Sequence, residues 1–315
     1  MKQIVTLCMN PALDITTTTE VVRPTDKLRC TTARYDPGGG GINVANVAQV
    51  LGVPSTAVFP GGGPAGQLVH DLLVAEGIAV QRISIGGATR ESFTVDETGT
   101  ARQYRFVLPG PQLTVAEHTE CLLRLRRTAV GAGIVVASGS LPPGVPDDFY
   151  QQVSTACEEL GVPLLLDTSG EGLAHVKSGV FLLKPSIREL REDVGEPLAR
   201  EEEQVDAARE LITSGIAGNV LVSLGAQGAL LVSAREAQRF AAVPVPPGSG
   251  VGAGDAMLAG VAVGISRGWP LAEAVRLGIA AGAAMLLTPG TAPCTREDTE
   301  RLFGQTGHPV DVIQA

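Results

Sequence analysis

Short apolar runs alternate with helix-like stretches along most of this chain. The apolar runs predict the strands Ile4–Met9, Thr56–Phe59, Ile134–Ser138, Pro163–Asp167, Val180–Leu183 and Val220–Leu224. The stretches between them predict the helices Ile42–Leu51, Gln67–Glu76, Ala116–Ala129, Asp147–Leu160, Glu201–Ser214, Ala256–Arg267 and Leu271–Leu287. Alternation of this kind is typical of an α/β fold, in which a parallel central sheet carries helices on both faces.

Two segments, residues 12–35 and 88–108, do not follow this pattern. They are rich in Thr, Val, Arg and Tyr and alternate polar with apolar positions, as in Glu91–Val95 and Gln103–Val107. This alternation predicts a small antiparallel sheet inserted into the α/β body, acting as a lid, a dimer contact or both. Two ordinary surface hairpins would give the same pattern. With no internal repeat or long linker, we expect one domain over residues 1–315.

Composition narrows the class of protein. The 315 residues are 44% hydrophobic, enough to fill a sizeable core, and the formal charge of −9 argues against nucleic acid or an anionic membrane as main partner. An anionic small substrate remains compatible, because a few convergent cations suffice locally. The five cysteines include no Cys-x-x-Cys pair, which favours a reducing cytoplasm and indicates neither a metal site nor a disulfide framework. Prolines interrupt the uncharged residues 277–295, so no membrane span is expected.

The most informative segment is residues 247–255, where a glycine-rich turn precedes Asp255 and an apolar, helix-like run. Glycines let the backbone approach a ligand closely, and the N–H groups of the following helix start attract anions. A carboxylate there would repel a phosphate. It suits a base that removes a proton from a hydroxyl while the N–H groups stabilise a phosphoryl group in transfer. A simple capped helix start is the alternative.

Other glycine-rich segments differ in what they indicate. The Gly61–Gly66 segment matches G-x-G-x-x-G, but it contains a proline and lacks the acidic residue expected about 20 positions later, so we reject a dinucleotide site. No P-loop motif occurs. Four glycines at 38–41 precede Asn43, whose amide offers both a donor and an acceptor for sugar hydroxyls. Asp14 follows the first strand, where it could accept hydrogen bonds from two hydroxyls or cap a turn.

Two further strand ends carry candidate site residues. The loop Ser138–Gly144 leaves a strand at its carboxyl end, where ligands bind in open α/β sheets. After another strand, Lys184 and Arg188 could approach phosphates, and Glu189 could hold Mg²⁺ through water. A charged helix start would explain the same three residues.

In sequence order, four motifs resemble the signatures of the ribokinase-like sugar kinases, the PfkB family: Gly39–Ala45, Ser138–Gly144, Val222–Gly225 and Val251–Asp255. Within that family the chain is most similar to the minor bacterial 6-phosphofructokinases of the isozyme 2 type. The stretches that carry this closer resemblance are Lys27–Thr31, the four-glycine run, Tyr104–Gly110 and Ser223–Leu230. The resemblance implies Mg²⁺-ATP as phosphoryl donor, a sugar phosphate as acceptor and a homodimer formed through the inserted β lid, and it leaves a K⁺ requirement open.

The resemblance also implies roles for individual residues. Asp255 would be the catalytic base, with the backbone N–H groups of Gly252, Ala253 and Gly254 as anion hole. Asp14, Gly39 and Asn43 would hold the sugar, and the phosphate that the substrate already carries would be bound by Lys27, Arg90, Arg105 and Ser138. The nucleotide site would be lined by Lys184, Ser186, Arg188, Ser223, Gly225, Ser249, Ile279 and Ala283.

The implied reaction is transfer of the ATP γ-phosphate to the C1 hydroxyl of fructose 6-phosphate. Three positions depart from the family pattern, which usually has Asn at Ser186, Thr at Gly250 and Ser at Ala256. The base and anion hole are retained, so activity is expected. Nucleotide affinity and turnover are the properties that these three changes are expected to affect most. Tagatose-6-phosphate kinase and 1-phosphofructokinase are the alternatives within the class. The latter usually has Lys where this chain has Gly40. A non-catalytic sugar-phosphate or nucleotide sensor is the alternative outside it.

Overall fold

The computed structural model describes residues 2–100, 102–246, 248, 250–288 and 292–312. Its strands are β1 (Ile4–Leu7), β2 (Ala12–Thr19), β3 (Arg34–Gly38), β4 (Ser55–Gly61), β5 (Ala79–Ser84), β6 (Arg90–Glu97), β7 (Arg102–Val107), β8 (Ile134–Ser138), β9 (Leu164–Asp167), β10 (Val180–Leu183), β11 (Ala217–Ser223), β12 (Ala229–Ser233), β13 (Ala237–Phe240) and β14 (Val310–Asp311). Its helices are α1 (Gly40–Val50), α2 (Gly63–Ala75), α3 (Val115–Ala129), α4 (Phe149–Leu160), α5 (Glu171–Ala174), α6 (Ile187–Val194), α7 (Glu201–Thr213), α8 (Ala253–Ser266), α9 (Leu271–Met285) and α10 (Arg296–Phe303). The predicted α/β class is confirmed.

Within the described residues, ten strands form the central sheet in the order β14-β13-β12-β11-β10-β9-β8-β1-β4-β5. The strands from β11 to β5 in that order are parallel, and β12, β13 and β14 extend the sheet with antiparallel pairs. All six predicted strands lie in the parallel part. Four other strands of the sheet were not predicted: β5, β12, β13 and β14.

Both faces of the central sheet are buried, as expected for parallel strands covered by helices. Alternate residues of β8 belong to different cores, since Val135 packs into one hydrophobic cluster and Ile134 and Val136 into the other. The first cluster contains residues of α3, α4 and α7, and the second contains residues of α1, α8 and α9. Successive residues of a strand therefore point to opposite faces of the sheet and pack against different sets of helices.

Helices α8 and α9 are buried on most sides, and two glycines let them approach closely. A Cβ atom on Gly260 would lie 2.7 Å from the Cα of Gly278, so neither position has room for a larger residue. Helix α8 also packs against β1, β8 and β9 of the central sheet. No helix in the described part of the chain has both the length and the apolar character that spanning a membrane requires.

The two exceptional segments form a separate four-stranded sheet, in the order β3-β2-β6-β7, which we call the lid sheet. The inserted sheet is confirmed, with one difference from the prediction. The outer pairs β2–β3 and β6–β7 are antiparallel, but the central pair β2–β6 is parallel. The reason is topological. Strand β2 follows β1, and β6 follows β5. Because β1 and β5 run in the same direction in the central sheet, both segments leave it at the same edge and in the same direction.

Candidate active site

The predicted site residues converge at the carboxyl ends of the parallel strands. A cleft of about 540 Å³ opens there between the lid sheet and the central sheet, lined among others by Asp14, Gly39, Asn43, Arg90, Arg105, Lys184, Ser186, Arg188, Glu189, Ser223, Gly252, Gly254 and Asp255. A second cavity of about 530 Å³ is lined by Ser223, Gly225, Ala253, Gly254, Ile279 and Ala283 together with further apolar residues. Because Ser223 and Gly254 line both spaces, the cleft and the second cavity adjoin.

Asp255 lies in the first turn of α8, where the helix start faces the cleft. The helix is capped by Gly252, whose φ of 76° is a left-handed conformation that glycine adopts without strain. The first N–H groups of a helix have no partner within it, so the positive end of the helix dipole lies beside the Asp255 carboxylate. Of the three predicted anion-hole groups, Ala253 directs its N–H to the carbonyl oxygen of Gly250 at 3.3 Å. Gly252 and Gly254 line the cleft.

Two side chains hold the Asp255 carboxylate from different elements. Asn43 of α1 donates from Nδ2 to Oδ2 at 2.9 Å, and Ser138 at the end of β8 donates from Oγ to Oδ1 at 3.1 Å. Ser138 thus contacts the predicted base in this structure, whereas the resemblance implies contact with the substrate's phosphate. Asn43 also lines the cleft.

A buried ion pair lies next to the helix start. Lys184 follows β10 and is 3% exposed, and its Nζ lies 2.9 Å from Oδ2 of Asp167 at the end of β9. Burial raises the pKa of Asp167 to about 6, although the Lys184 charge opposes the rise. Burial alone would lower the pKa of Lys184, but the charge and hydrogen bond of Asp167 raise it above its usual value. At neutral pH the pair is therefore ionised and Lys184 presents a positive charge to the cleft.

The lid supplies the opposite wall of the cleft. Asp14 of β2 has its pKa raised to about 6 by burial, although the charges of Arg105 and Arg90 favour ionisation. Arg90 donates to the carbonyl oxygens of Asn10 at 3.0 Å and Leu108 at 3.2 Å, which fixes its guanidinium at the base of the lid. Arg105 on β7 is exposed and lines the cleft. A carboxylate and two guanidiniums therefore face one another around a space large enough for a small phosphorylated ligand.

On the other side of the cleft, Ser186 and Glu189 form a capping box at the start of α6. Ser186 Oγ accepts from the Glu189 N–H at 3.2 Å, and Glu189 Oε2 accepts from the Ser186 N–H at 2.8 Å and from its hydroxyl at 2.7 Å. Glu189 lines the cleft with Asp167 and Asp255, and these hard oxygen donors suit Mg²⁺. Arg188 is exposed beside them.

Two predicted residues are not brought together with the rest. Lys27 lies exposed in the loop between β2 and β3 and is not among the residues that line the cleft, and Ser249 lies outside the described residues. Asp167 was missed as a site residue. The signal was present, because an acidic residue ends a predicted parallel strand, which is where ligands bind in such sheets.

The chain is similar to known proteins over almost its whole length. Residues 8–298 match the sequence profile of the pfkB family of carbohydrate kinases. ATP-dependent 6-phosphofructokinase isozyme 2 of Mycobacterium tuberculosis H37Rv is 60% identical over 99% of this chain and 92% of that protein. The Escherichia coli K12 protein of the same name is 38% identical over 96% of this chain and 98% of its own. Three structures of phosphofructokinase-2 from E. coli are similar to this one. The TM-score is 0.90 for the complex with fructose 6-phosphate, 0.90 for the complex with potassium and 0.91 for the tetrameric inhibited form. Each is 37% identical in sequence, over 97% of this chain and 99% of the other.

Proposed function

This chain belongs to the pfkB family of carbohydrate kinases, and we propose that it is an ATP-dependent 6-phosphofructokinase. It transfers the γ-phosphate of ATP to the C1 hydroxyl of fructose 6-phosphate and releases fructose 1,6-bisphosphate and ADP. The observation that carries the proposal is the position of Asp255. Its carboxylate lies in the first turn of α8 and lines the cleft, next to Gly254, which lines both the cleft and the second cavity.

In the proposed reaction, Asp255 accepts the proton of the C1 hydroxyl as its oxygen attacks the γ-phosphorus. The bond from the γ-phosphorus to the β–γ bridging oxygen breaks, and ADP leaves. Negative charge on the phosphoryl group faces the N-terminus of α8 and the Lys184 ammonium, both of which stabilise it electrostatically. Phosphoryl transfer depends mainly on positioning and charge stabilisation, so these groups form a sufficient set.

The sugar phosphate lies against the lid in this proposal. Asp14 and Asn43 hold sugar hydroxyls, while Arg90 and Arg105 bind the phosphate already present. The base and ribose of ATP occupy the second cavity, which Gly225, Ile279 and Ala283 help to line. Ser223 is at the junction, where the phosphates would pass from one space to the other.

Glu189 would hold Mg²⁺ in the cleft, where the ion would neutralise phosphate charge and orient the nucleotide. One carboxylate oxygen of Glu189 is engaged by the α6 cap, which fixes the orientation of the group. We retain K⁺ as a second candidate cofactor, because the E. coli relative has been solved with potassium. Comparing turnover in potassium, sodium and tetramethylammonium chloride at equal ionic strength tests it.

We also propose a homodimer formed through the lid sheets. One apolar residue from each strand lies in the same register across the lid sheet: Tyr35, Ile15, Phe93 and Phe106. The exposed fraction is 47% for Tyr35, 37% for Phe93 and 56% for Phe106. Asp14 occupies the preceding position on β2, so this apolar stripe lies on the face opposite the cleft. A continuous exposed apolar row of this kind marks an interaction surface. Sedimentation of wild type and Phe106→Asp would test it, with a tetramer as the further state to look for.

The position of Lys27 has a consequence for this dimer. Since Lys27 lies in the exposed lid loop and outside its own cleft, its predicted phosphate contact requires closure of the loop or delivery by the second subunit. Residues 1–315 would act as one kinase domain, with the lid segments inserted. We place the enzyme in the cytoplasm, consistent with its five unpaired cysteines.

The test is ADP release by purified protein with Mg²⁺-ATP and, in parallel, fructose 6-phosphate, tagatose 6-phosphate, fructose 1-phosphate and fructose. We expect the highest kcat/KM for fructose 6-phosphate, with turnover lost in Asp255→Asn. A preference for tagatose 6-phosphate or fructose 1-phosphate would retain the mechanism and change the substrate. Binding of both ligands without turnover would instead support a sensor.

A further inference from the structure

The base assigned above is held by hydrogen bonds to both of its carboxylate oxygens. Asn43 contacts Oδ2 at 2.9 Å and Ser138 contacts Oδ1 at 3.1 Å. The donors belong to different elements, α1 and β8, and the acceptor belongs to α8. The plane and direction of the Asp255 carboxylate are therefore fixed by three parts of the fold together.

Ser138 is confined to this contact by its surroundings. The residue is 1% exposed, and the next residue is anchored by Tyr150, whose hydroxyl donates to the Gly139 carbonyl oxygen at 2.6 Å. A Cβ atom on Gly40 would lie 2.1 Å from Ser138 Oγ and 3.0 Å from its Cβ. The backbone of Gly40 does not have a positive φ, so its lack of a side chain is needed for space and not for conformation. Gly40 thus leaves room for the serine hydroxyl to reach Asp255.

We propose that Ser138 is a positioning residue for Asp255, and that Gly40 provides the space for this role. The inference rests on the proposed function, in which Asp255 is the base. A base must meet the reacting hydroxyl at hydrogen-bond distance, and a displacement of about 1 Å can lower the rate about 100-fold. Without the Ser138 hydroxyl, the carboxylate can rotate about its contact with Asn43 and lose that alignment.

The experiment separates positioning from binding by steady-state kinetics on Ser138→Ala. A positioning role predicts that kcat falls about tenfold or more, the worth of one hydrogen bond to a charged group, while KM for fructose 6-phosphate and ATP stays within about twofold. Ser138→Thr retains the hydroxyl and should restore most of kcat. Ser154→Ala is the matched control, because Ser154 is also fully buried but donates to the Ser178 carbonyl oxygen away from the cleft. It should change stability and not kcat.

Gly40→Ala gives an independent test in which Ser138 is retained. Its added methyl overlaps the serine hydroxyl, so we expect a loss of kcat similar to that of Ser138→Ala and, in the double variant, a loss smaller than the product of the two. Thermal unfolding of each variant verifies that the protein is folded. An increase in KM for fructose 6-phosphate with unchanged kcat in Ser138→Ala would overturn the positioning role alone. No turnover by the wild-type protein would overturn the proposed function and this role with it.

Discussion

In an Asp167→Asn variant, Lys184 keeps its buried position but loses the carboxylate that pairs with it. Breaking a buried ion pair by removing one partner costs about 3–5 kcal/mol, unless the remaining charge is neutralised. Neutralising a lysine with its usual pKa of 10.5 costs about 4 kcal/mol at pH 7.5 and about 2 kcal/mol at pH 9, at about 1.36 kcal/mol per pH unit. The destabilisation is therefore limited to about 4 kcal/mol at pH 7.5 and becomes smaller as pH rises.

The sign follows from which state binds more protons. In the wild type the pKa of Lys184 is raised, so the stability it contributes is present below 10.5 and lost only above that value. The pKa of Asp167 is raised to about 6, so its effect on stability varies between about pH 4 and 6 and is constant above. Between pH 6.5 and 9 neither group changes the wild-type stability. In the variant the desolvated Lys184 loses its proton more readily in the folded state, so stability increases with pH.

The assay is urea unfolding and kcat at several pH values from 6.5 to 9. We expect the difference in unfolding free energy between wild type and Asp167→Asn to decrease with pH, and the kcat of the variant to fall over the same range as Lys184 is neutralised. The double variant Asp167→Asn/Lys184→Met contains no buried charge at this position, so it should recover stability without recovering activity. Equal stability of Asp167→Asn and wild type, with kcat independent of pH, would refute the role of the pair.

Three further predictions concern the two substrate sites. Because burial raises the pKa of Asp14 to about 6, KM for fructose 6-phosphate should increase below pH 6 as the carboxylate is protonated; Asp14→Asn should lack this increase, and the same pH dependence in the variant would contradict the assignment. Arg105→Ala should raise KM for fructose 6-phosphate tenfold or more, as expected for a charge-assisted hydrogen bond of about 1.5–3 kcal/mol, and Arg102→Ala on the same strand should not. Within the described residues, the second cavity is lined by glycines and apolar residues apart from Ser223. These side chains offer no hydrogen bonds that distinguish the purine bases, so GTP and ITP should have kcat/KM values within about 100-fold of that for ATP, and a preference for ATP above about 10⁴-fold would refute this.

Most of the parallel sheet could be predicted from the sequence. Each of the predicted strands is buried on both faces of the sheet and is therefore a short apolar run. Strand β5 was missed because it lies at the edge, where only Ile83 among its residues is fully buried and the run is not continuously apolar. The hairpin β12–β13 was missed for a different reason. Its strands, Ala229–Ser233 and Ala237–Phe240, are short and lie at the antiparallel end of the sheet. They are not separated by the helix-like stretches that alternate with the parallel strands.

The site was predictable in its chemistry and less so in its contacts. Asp255, Asn43 and Lys184 could be selected because glycine runs and strand ends precede them, which are local signals. The contact between Ser138 and Asp255 joins residues 117 positions apart. It exists because β8 is adjacent to β1 in the sheet while α1 and α8 pack side by side, and an apolar pattern does not determine that order.

Ser186 has a structural role that was not predicted from the sequence. Serine replaces the asparagine that is usual at this position, a change expected to affect nucleotide affinity and turnover. In the structure, Ser186 caps α6 and binds the Glu189 carboxylate through both its N–H and its hydroxyl, an arrangement typical of the spacing Ser-x-x-Glu. The serine therefore orients the carboxylate that lines the cleft, with Oε2 engaged by the cap. With serine at this position, the start of α6 is capped and the candidate metal ligand lines the cleft.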